Sequence, residues 1–282
     1  MKLKKCSHIW PVSEKAGNPP DGWSGWPEKK QFAFVLTHDV DTAKGQDKSY
    51  RLMEYEESLG FRSSFYFVPE RYKVSESLRN EITNRGFEVG VHGLVHDGKL
   101  YNSKMIFQKR AIKINQYLKS WGAVGFRSPS MHHKLDWIHD LDIEYDASTF
   151  DTDPFEPQSG GVGTIFPFCV RGNSDQKSYI EFPYTLPQDF TLFVLMKEKN
   201  INIWKKKLDW IADKGGMALL NVHPDYMNFT GKNLCLEGYP AELYLEFLEY
   251  VKSNYSGTYW HALPRIISRY ISTTKETHQK LD

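Results

Sequence analysis

The 282-residue chain has few cysteines, little net charge and no long apolar run. Its three cysteines, Cys6, Cys169 and Cys235, are widely spaced and form no Cys-x-x-Cys pair, which argues against a disulfide framework or a cysteine zinc site. With 36 basic and 35 acidic residues the net charge is +1, unlike a protein held to nucleic acid by phosphate neutralisation. No apolar run approaches the roughly 18 residues of a membrane span.

What is present indicates a folded α/β protein. Hydrophobic residues make up 40% of the chain and its net charge is low. Disordered proteins have the opposite composition, with few apolar residues and a high net charge. The length suits one α/β barrel of about 250 residues. We expect three parts, an N-terminal arm (1–30) packed on the domain, a barrel (31–270) and a polar C-terminal tail (271–282). Trp10, Trp23 and Trp26 of the arm should lie against the domain.

The first residues are basic, but no apolar segment follows them, so they do not resemble a signal peptide. We therefore expect a cytoplasmic protein, with peripheral attachment to a membrane left open.

From residue 31 onward, strand-like and helical patterns alternate. The clearest helix is predicted over 103–121, where apolar residues step by four and three, with Ser103 as N-cap and Gly122 just after the end. Such alternation indicates βα units around a parallel sheet or barrel. The predicted strands are 32–36, 64–68, 88–91, 145–149, 164–168, 179–184, 217–222 and 259–263.

One stretch, 151–178, interrupts this alternation with prolines, glycines and acidic residues. Long irregular segments in compact domains often bind ligands. The alternative is a surface insertion without a function.

Two aspartates follow the first predicted strand. Asp39 and Asp41 are two residues apart, so both project to the same side of an extended chain. Two carboxylates aimed at one place call for a cation or a proton between them. The alternative is a polar strand end at which Asp41 and Thr42 cap the next helix.

His92 and His96 follow another predicted strand at a spacing that allows both to bind one metal ion. Alone this is a weak indication, because the chain has ten histidines and such pairs are often solvated or capping residues. With one carboxylate added, two histidines form an open metal site that leaves room for water.

Arg127, Asp146 and His223 stand at further strand ends. Each has a plain structural explanation, as a surface ion pair, a turn residue and a hydrogen-bonded histidine. His223, fixed by the proline after it, is also a candidate for general acid–base catalysis. Five strand ends that all present reactive side chains favour one shared active site.

In this combination the chain resembles the polysaccharide deacetylases of carbohydrate esterase family four, the NodB-homology domain, from residue 31 to about 265. The family's Thr-Phe-Asp-Asp motif resembles the run from Thr37 to Asp41, in which His38 replaces Phe. His92 and His96 match the histidine motif, with Gly93 where Ser or Thr is usual.

The remaining motifs match in the same order. Arg127, Pro129 and Ser130 match Arg-x-Pro-Tyr except at its last position. Asp146 to Phe150 match the fourth motif loosely, and His223 matches the histidine of the fifth. The resemblance implies a distorted (β/α) barrel of about seven strands, related to the TIM barrel.

The resemblance also implies roles for these residues. Asp41, His92 and His96 would hold one divalent metal ion, with zinc as the default and cobalt, nickel or iron accepted by the same ligands. Asp39 would be the base. The other roles implied are orientation of Asp39 by Arg127, general acid catalysis by His223, whose other ring nitrogen would donate to Asp146, and an oxyanion contact from the Ser130 backbone. Ser130 and Pro129 are expected to contact the substrate. Aromatic rings that could stack on a sugar are further candidates, the alternative being that each is simply core: Trp137, Phe150, Phe155, Tyr226 and Trp260.

Two departures from the family affect these roles. Gly93 cannot supply a hydroxyl to orient the histidines, so they need another partner. His38 stands beside the base, where it could perturb Asp39 or contact the substrate.

The implied activity is metal-dependent removal of an N-acetyl group from an amino sugar of a cell-surface glycan or its cytoplasmic precursor. The expected partner is an N-acylated sugar or glycan rather than nucleic acid, and the oligomeric state is left open. The alternatives are a deformylase or other amide hydrolase of the same fold, and a catalytically inactive glycan-binding domain.

Overall fold

The computed structural model describes residues 13–151, 160–173, 177–231 and 236–279. Trp10, Phe155, Cys6 and Cys235 lie outside the described residues, as do parts of the predicted loop 151–178. The strands are β1 (Phe32–Val40), β2 (Ser64–Phe67), β3 (Glu88–His92), β4 (Gly125–Arg127), β5 (Tyr145–Asp146), β6 (Phe168–Val170), β7 (Tyr179–Glu181), β8 (Met217–Val222), β9 (Met227–Asn228), β10 (Tyr239–Pro240) and β11 (Tyr259–His261). The helices are α1 (Ala43–Leu59), α2 (Glu76–Asn84), α3 (Lys104–Trp121), α4 (Leu135–Ile138), α5 (Asn202–Lys214), α6 (Glu242–Tyr255) and α7 (Pro264–Gln279).

Seven parallel strands form a curled sheet in the order β8-β1-β2-β3-β4-β5-β7. β11 runs parallel to the first half of β1, and β6 is antiparallel to β7. After β7, the backbone N–H groups of Thr185 and Leu186 both donate to the carbonyl oxygen of Leu219 in β8, which joins the two ends of the sheet. The distorted barrel predicted from the sequence is confirmed.

β1 is the central strand, and its two faces have different surroundings. All nine of its residues are buried. Alternation directs Ala33 and Val35 into the barrel, whereas Phe34 and Leu36 pack outward under the helices. By the same alternation Asp39 projects into the barrel at the carboxyl end of the strand, the end at which α/β barrels carry their sites.

The predicted helix over 103–121 is confirmed as α3. The Ser103 side chain caps it by accepting a hydrogen bond from the N–H of Ile106 at 3.2 Å, and Gly122 ends it with a left-handed φ of 62°. Its apolar face, which includes Phe107 and Ile114, is buried in a core cluster with Val91 of β3 and Phe126 of β4.

The predicted strand 164–168 is wrong, because the strand in this region starts only at Phe168. Ile165 and Phe166 are buried, as an apolar run suggests. The backbone N–H of Ile165, however, donates to the carbonyl oxygen of Ala16, and the carbonyl oxygen of Ile165 accepts the N–H of Met217. These single contacts hold an irregular connection in place without forming a strand ladder.

Both ends of the described chain pack on the barrel. The ring of Trp26 is 4% exposed, and its Nε1 donates to the carbonyl oxygen of Gly215 at 2.8 Å. Trp23 lies edge-on to it at 4.8 Å. α7 continues into the segment predicted as a tail, and its Ile271 is buried. No helix among the described residues is long and apolar enough to cross a membrane.

Candidate active site and metal centre

Two histidines and one aspartate converge at the carboxyl end of the sheet. Asp41 follows β1, His92 ends β3, and His96 lies in the loop after β3. The Nε2 atoms of His92 and His96 lie 3.4 and 3.3 Å from the same atom, Oδ1 of Asp41. Across the described ranges, this is the one group of three such side chains arranged to hold a metal ion.

The group fits a divalent ion. Oδ1 of Asp41 is buried and has no hydrogen-bond partner among the described residues. In a tetrahedral zinc site with bonds of about 2.0–2.1 Å, neighbouring ligand atoms lie ~3.3 Å apart. Burial would raise the pKa of Asp41, but the nearby histidines, His92 first among them, lower that pKa well below its usual range. The ligand carboxylate is therefore ionised.

The backbone of β4 orients His92. Nδ1 of His92 lies 3.0 Å from the carbonyl oxygen of Arg127, which turns Nε2 toward Asp41. This contact supplies the orienting partner that Gly93 cannot. Gly93 has a φ of 59°, and a Cβ there would lie 2.5 Å from Cγ of Pro129, so the close approach of the two loops requires glycine.

Asp39 lies beside the metal group, and two side chains hold its carboxylate. Oδ1 accepts a hydrogen bond from Nη1 of Arg127 at 3.1 Å, and Oδ2 accepts one from Nδ2 of Asn221 at 2.8 Å. Oδ1 of Asn221 accepts from the same Nη1 at 2.6 Å, which completes a buried triangle. Burial would raise the pKa of Asp39, but His92, Arg127 and His223 outweigh it and lower that pKa.

His223 follows β8 and faces Asp39 across the site. Its Nε2 lies 3.8 Å from Oδ2 of Asp39, and its Nδ1 lies 2.7 Å from Oδ1 of Asp189. Oδ2 of Asp189 accepts the backbone N–H of His223 at 2.8 Å. Burial would lower the pKa of His223, but Asp189, with smaller contributions from Asp41 and Asp39, raises it to about 10. The imidazole is therefore protonated at neutral pH.

The prediction that Asp146 holds the ring of His223 is wrong. β7 pairs with β5 and the chain after β7 bonds to β8, so this following segment reaches His223 and contributes Asp189. Asp146 instead accepts a hydrogen bond from Oγ of Ser148 at 2.6 Å and stands opposite Glu181 in the strand register.

Two residues of the site, Asn221 and Asp189, were not predicted from the sequence. Asn221 stands two residues before His223, and alternation along β8 was an available signal for it. Asp189 is 34 residues from His223 in the chain, and no spacing rule joins them.

A cavity of about 210 Å³ opens above these groups. The rings of Phe190 and Tyr226 lie 5.0 Å apart and form an aromatic wall. Besides the ionisable residues already described, the cavity is lined by Ser130, Met131, Gln188, Phe190, Thr191, Leu195 and Tyr226.

Of the side chains predicted to contact substrate, Ser130 and Tyr226 line this cavity. Phe150 is 3% exposed and belongs to the barrel interior, while Trp137 packs on the outer core cluster beneath α3. The predicted substrate contacts of Phe150 and Trp137 are therefore wrong for this cavity. Pro129 lies behind the lining, against the loop that follows β3.

His38 points away from the site. Alternation along β1 turns its ring toward α1, where Nε2 lies 2.8 Å from Oε1 of Glu56. Glu56 also accepts hydrogen bonds from Ser63 and Tyr244. The ring is therefore part of a polar cluster between sheet and helices, and the expectation that it perturbs the base or touches substrate is wrong.

No protein-family model and no curated protein matches this chain. Solved structures do match. A protein from Mycobacterium smegmatis named as a polysaccharide deacetylase superimposes with a TM-score of 0.69 at 17% identity, over 92% of this chain and 96% of its own. The chain has the polysaccharide deacetylase fold. The Puue allantoinase shares this fold, with a TM-score of 0.68 at 14% identity, over 91% of this chain and 96% of its own.

A CE4 family pseudoenzyme from Bacillus anthracis also has the polysaccharide deacetylase fold, with a TM-score of 0.51 at 14% identity, over 86% of this chain and 67% of its own. The fold is therefore shared by proteins named as a polysaccharide deacetylase, an allantoinase and a pseudoenzyme, so it does not by itself assign an activity.

Proposed function

We propose that the protein is a metal-dependent hydrolase that removes the N-acetyl group from an amino sugar. The observation that supports this is one cavity shared by the Asp41–His92–His96 group, an ionised carboxylate (Asp39) and a protonated imidazole (His223). A metal site between a base and an acid contains the parts that amide hydrolysis uses. A protein that only bound a glycan would not require this base and acid.

Asp41, His92 and His96 would hold the ion, with zinc as the first choice and cobalt, nickel or iron as alternatives that suit the same ligands. When bound there, a divalent ion would polarise the amide carbonyl and lower the pKa of a water molecule from about 15.7 toward 7.

Asp39 acts as the base that takes the proton of the attacking water. Arg127 and Asn221 each donate a hydrogen bond to one of its two oxygens. The carboxylate therefore stays ionised, and its orientation is fixed before the substrate arrives. Oδ2 of Asp39 and Nε2 of His223 lie 3.8 Å apart, so base and acid border the same part of the cavity.

The backbone N–H of Ser130 contributes to oxyanion stabilisation. Ser130 lines the cavity with a φ of 56°, a left-handed conformation that costs roughly 1–3 kcal/mol and is typical of functional sites. Because this donor belongs to the backbone, the contact does not depend on the side chain, which is serine in place of the family's tyrosine.

His223 donates its proton to the nitrogen of the leaving amine. Asp189 fixes the ring through Nδ1 and through the backbone N–H, so that Nε2 points into the cavity. This is the role a buried carboxylate plays beside a catalytic histidine.

The cavity suits a neutral sugar of small size. At about 210 Å³ it is smaller than the ~300–1,000 Å³ of sites for drug-sized ligands. Phe190 and Tyr226 offer an aromatic face, while Gln188 and Thr191 offer neutral polar groups for hydroxyls. The substrate we propose is an N-acetylated sugar of a cell-surface glycan or its precursor. The cytoplasmic location stays a prediction of the sequence.

The test combines metal analysis with acyl release. Protein stripped with a chelator and reloaded with zinc, cobalt, nickel or iron is assayed for acetate and formate from N-acetyl and N-formyl derivatives of glucosamine and galactosamine. We expect about one ion per chain and acetate release that depends on it. Asp41→Ala should bind no stoichiometric metal, whereas the exposed Asp47→Asn should behave as the wild type.

Each alternative predicts a different result. Release of formate alone would assign the protein as a deformylase. Tight binding of a glycan without metal-restored hydrolysis of any N-acyl sugar would assign it as a binding protein. Stoichiometric metal in Asp41→Ala would contradict the ligand assignment.

A further inference from the structure

Asp225 lies beside the site and has none of the roles described above. It stands two residues after His223 and is 8% exposed. Its carboxylate reaches the loop that carries the metal ligand Asp41. Oδ2 accepts the backbone N–H of Asp41 at 3.0 Å, and Oδ1 accepts the Oγ1 hydroxyl of Thr42 at 2.5 Å.

These contacts place the Asp225 carboxylate, which comes from a distant part of the chain, at the N-terminal end of α1. Thr42 is the N-cap residue of α1, yet its side chain caps no N–H of its own helix. It donates to Asp225 instead. A carboxylate at this end of a helix is favoured by the first-turn N–H groups and by the helix dipole.

Gly45 makes room for this carboxylate. A Cβ at Gly45 would lie 2.1 Å from Oδ2 of Asp225, closer than any side chain permits. Glycine inside a helix costs about 1 kcal/mol relative to alanine. Its presence in the first turn of α1 is therefore explained by the close approach of Asp225.

Lys48, one turn further along α1, holds the same loop. Its Nζ donates to the carbonyl oxygens of Pro224, Asp225 and Met227 at 3.0, 2.8 and 2.7 Å. Two side chains thus join the beginning of α1 to the loop after β8, the carboxylate of Asp225 from the loop and the ammonium group of Lys48 from the helix.

We propose that Asp225 is a positioning residue that fixes the metal ligand Asp41 and the acid His223 relative to each other. The roles of those two residues rest on the proposed function. Its bond to the N–H of Asp41 holds the backbone from which the ligand carboxylate projects, and its own backbone lies two residues from His223. Catalytic groups must stay within about 0.5 Å of productive geometry.

The first measurement is zinc affinity, by competition with a chromogenic chelator. Asp225→Asn keeps the shape of the side chain but turns an amide group toward a donor, so we expect zinc binding to weaken by about 10-fold or more. With saturating zinc, kcat should fall while KM changes little. The matched control is Asp47→Asn, which removes the same charge from the exposed side of α1 and should leave both values unchanged.

The second measurement needs neither metal nor activity. In chelator-treated protein, hydrogen exchange at the amide of Asp41 should be faster in Asp225→Asn than in the wild type, with exchange in the middle of β1 unchanged. If the wild type bound no zinc, the proposed function would fail, while faster exchange at Asp41 would still support the positioning role.

Gly45→Ala provides an independent variant in case Asp225→Asn does not fold. It leaves the carboxylate in the chain but displaces it from Asp41, and it should reproduce the weaker zinc binding. A lower Tm in either folded variant, with zinc affinity and Asp41 exchange as in the wild type, would show that Asp225 only stabilises the fold and would overturn the proposal.

Discussion

Two sets of buried carboxylates at strand ends of this barrel differ in charge. Asp39 is ionised, and its pKa is lowered although burial acts to raise it. Asp146 and Glu181, on β5 and β7, are equally buried, and burial together with their mutual proximity raises the pKa of Glu181 well above its usual value. The pKa of Asp146 is raised as well, chiefly by burial.

The difference lies in the neighbours of each carboxylate. Asp39 has a guanidinium group at 3.1 Å and two imidazoles nearby, so ionisation is favoured. Oδ2 of Asp146 and Oε2 of Glu181 are buried without a hydrogen-bond partner among the described residues, so the effect of burial prevails and the pKa of each group is raised. Burial alone therefore does not decide whether a carboxyl group can act as a base, since a nearby cation reverses its effect.

Asp146, of the pair without a nearby cation, is connected by hydrogen bonds to the loop that lines the cavity. Oγ of Ser148 donates to Asp146 at 2.6 Å and accepts the backbone N–H of Ser128 at 2.8 Å. Ser128 precedes the turn that places Ser130 at the cavity. One set of acids thus takes part in the proposed chemistry, and the other holds a loop.

Replacement of the ionised carboxylate, Asp39, should have the largest effect on activity. Asp39→Asn removes the base but keeps hydrogen-bonding groups in place, so we expect kcat to fall by about 10²–10⁴-fold with metal content unchanged. Acetate release and metal analysis on the same sample measure both. An active Asp39→Asn would place the base elsewhere.

Separate replacement of Asp189 and of Asp146, the carboxylate first predicted to bind His223, should sharpen the comparison. Asp189→Asn removes the charge that raises the pKa of His223 to about 10, so this pKa should fall and the alkaline limb of the kcat profile should move to lower pH. We expect kcat near neutral pH to drop about 10²-fold. Asp146→Asn is the matched change and should leave the alkaline limb in place. An equal shift in both variants would contradict the assignment of Asp189.

The smallest effect should come from Asp146 and Glu181, and it concerns stability. Since the folded-state pKa values of Asp146 and Glu181 are raised, this pair binds more protons in the folded protein than in the unfolded chain above about pH 4.3. Its contribution to the free energy of unfolding therefore falls as pH rises toward the folded-state pKa values. Glu181→Gln should flatten this dependence and raise Tm at pH 8 by about 2–4 °C. The exposed Asp136→Asn is the control. An unchanged slope of Tm against pH between 5 and 8 in Glu181→Gln would show that the pair does not hold the extra proton.

Much of the fold and the metal group could be predicted from local patterns. The period of apolar residues located α3 and its caps, and alternation of side chains placed Asp39 and Asp41 on one side of β1. The predicted ligands Asp41, His92 and His96 do come together in space, since parallel strands present their carboxyl ends at one edge. These features depend on spacing within a few residues or on the order of strands.

Features that depend on contacts between distant segments were not predictable in the same way. Apolar aromatic character did not show whether Phe150 and Trp137 face the cavity or the core, because both environments favour such rings. A strand-like run at 164–168 did not form a strand, because its backbone bonds go to Ala16 and Met217.

The sequence by itself determined the alternation of strands and helices, the polar residues at strand ends and the spacing of the candidate metal ligands. The tertiary structure alone decided which carboxylate serves His223, which backbone group orients His92 and which acids are ionised. Helical and strand periods are local properties of a chain. The hydrogen bond between Asp189 and His223 and the raised pKa values of Asp146 and Glu181 depend instead on which strands become neighbours and on which charges burial brings together.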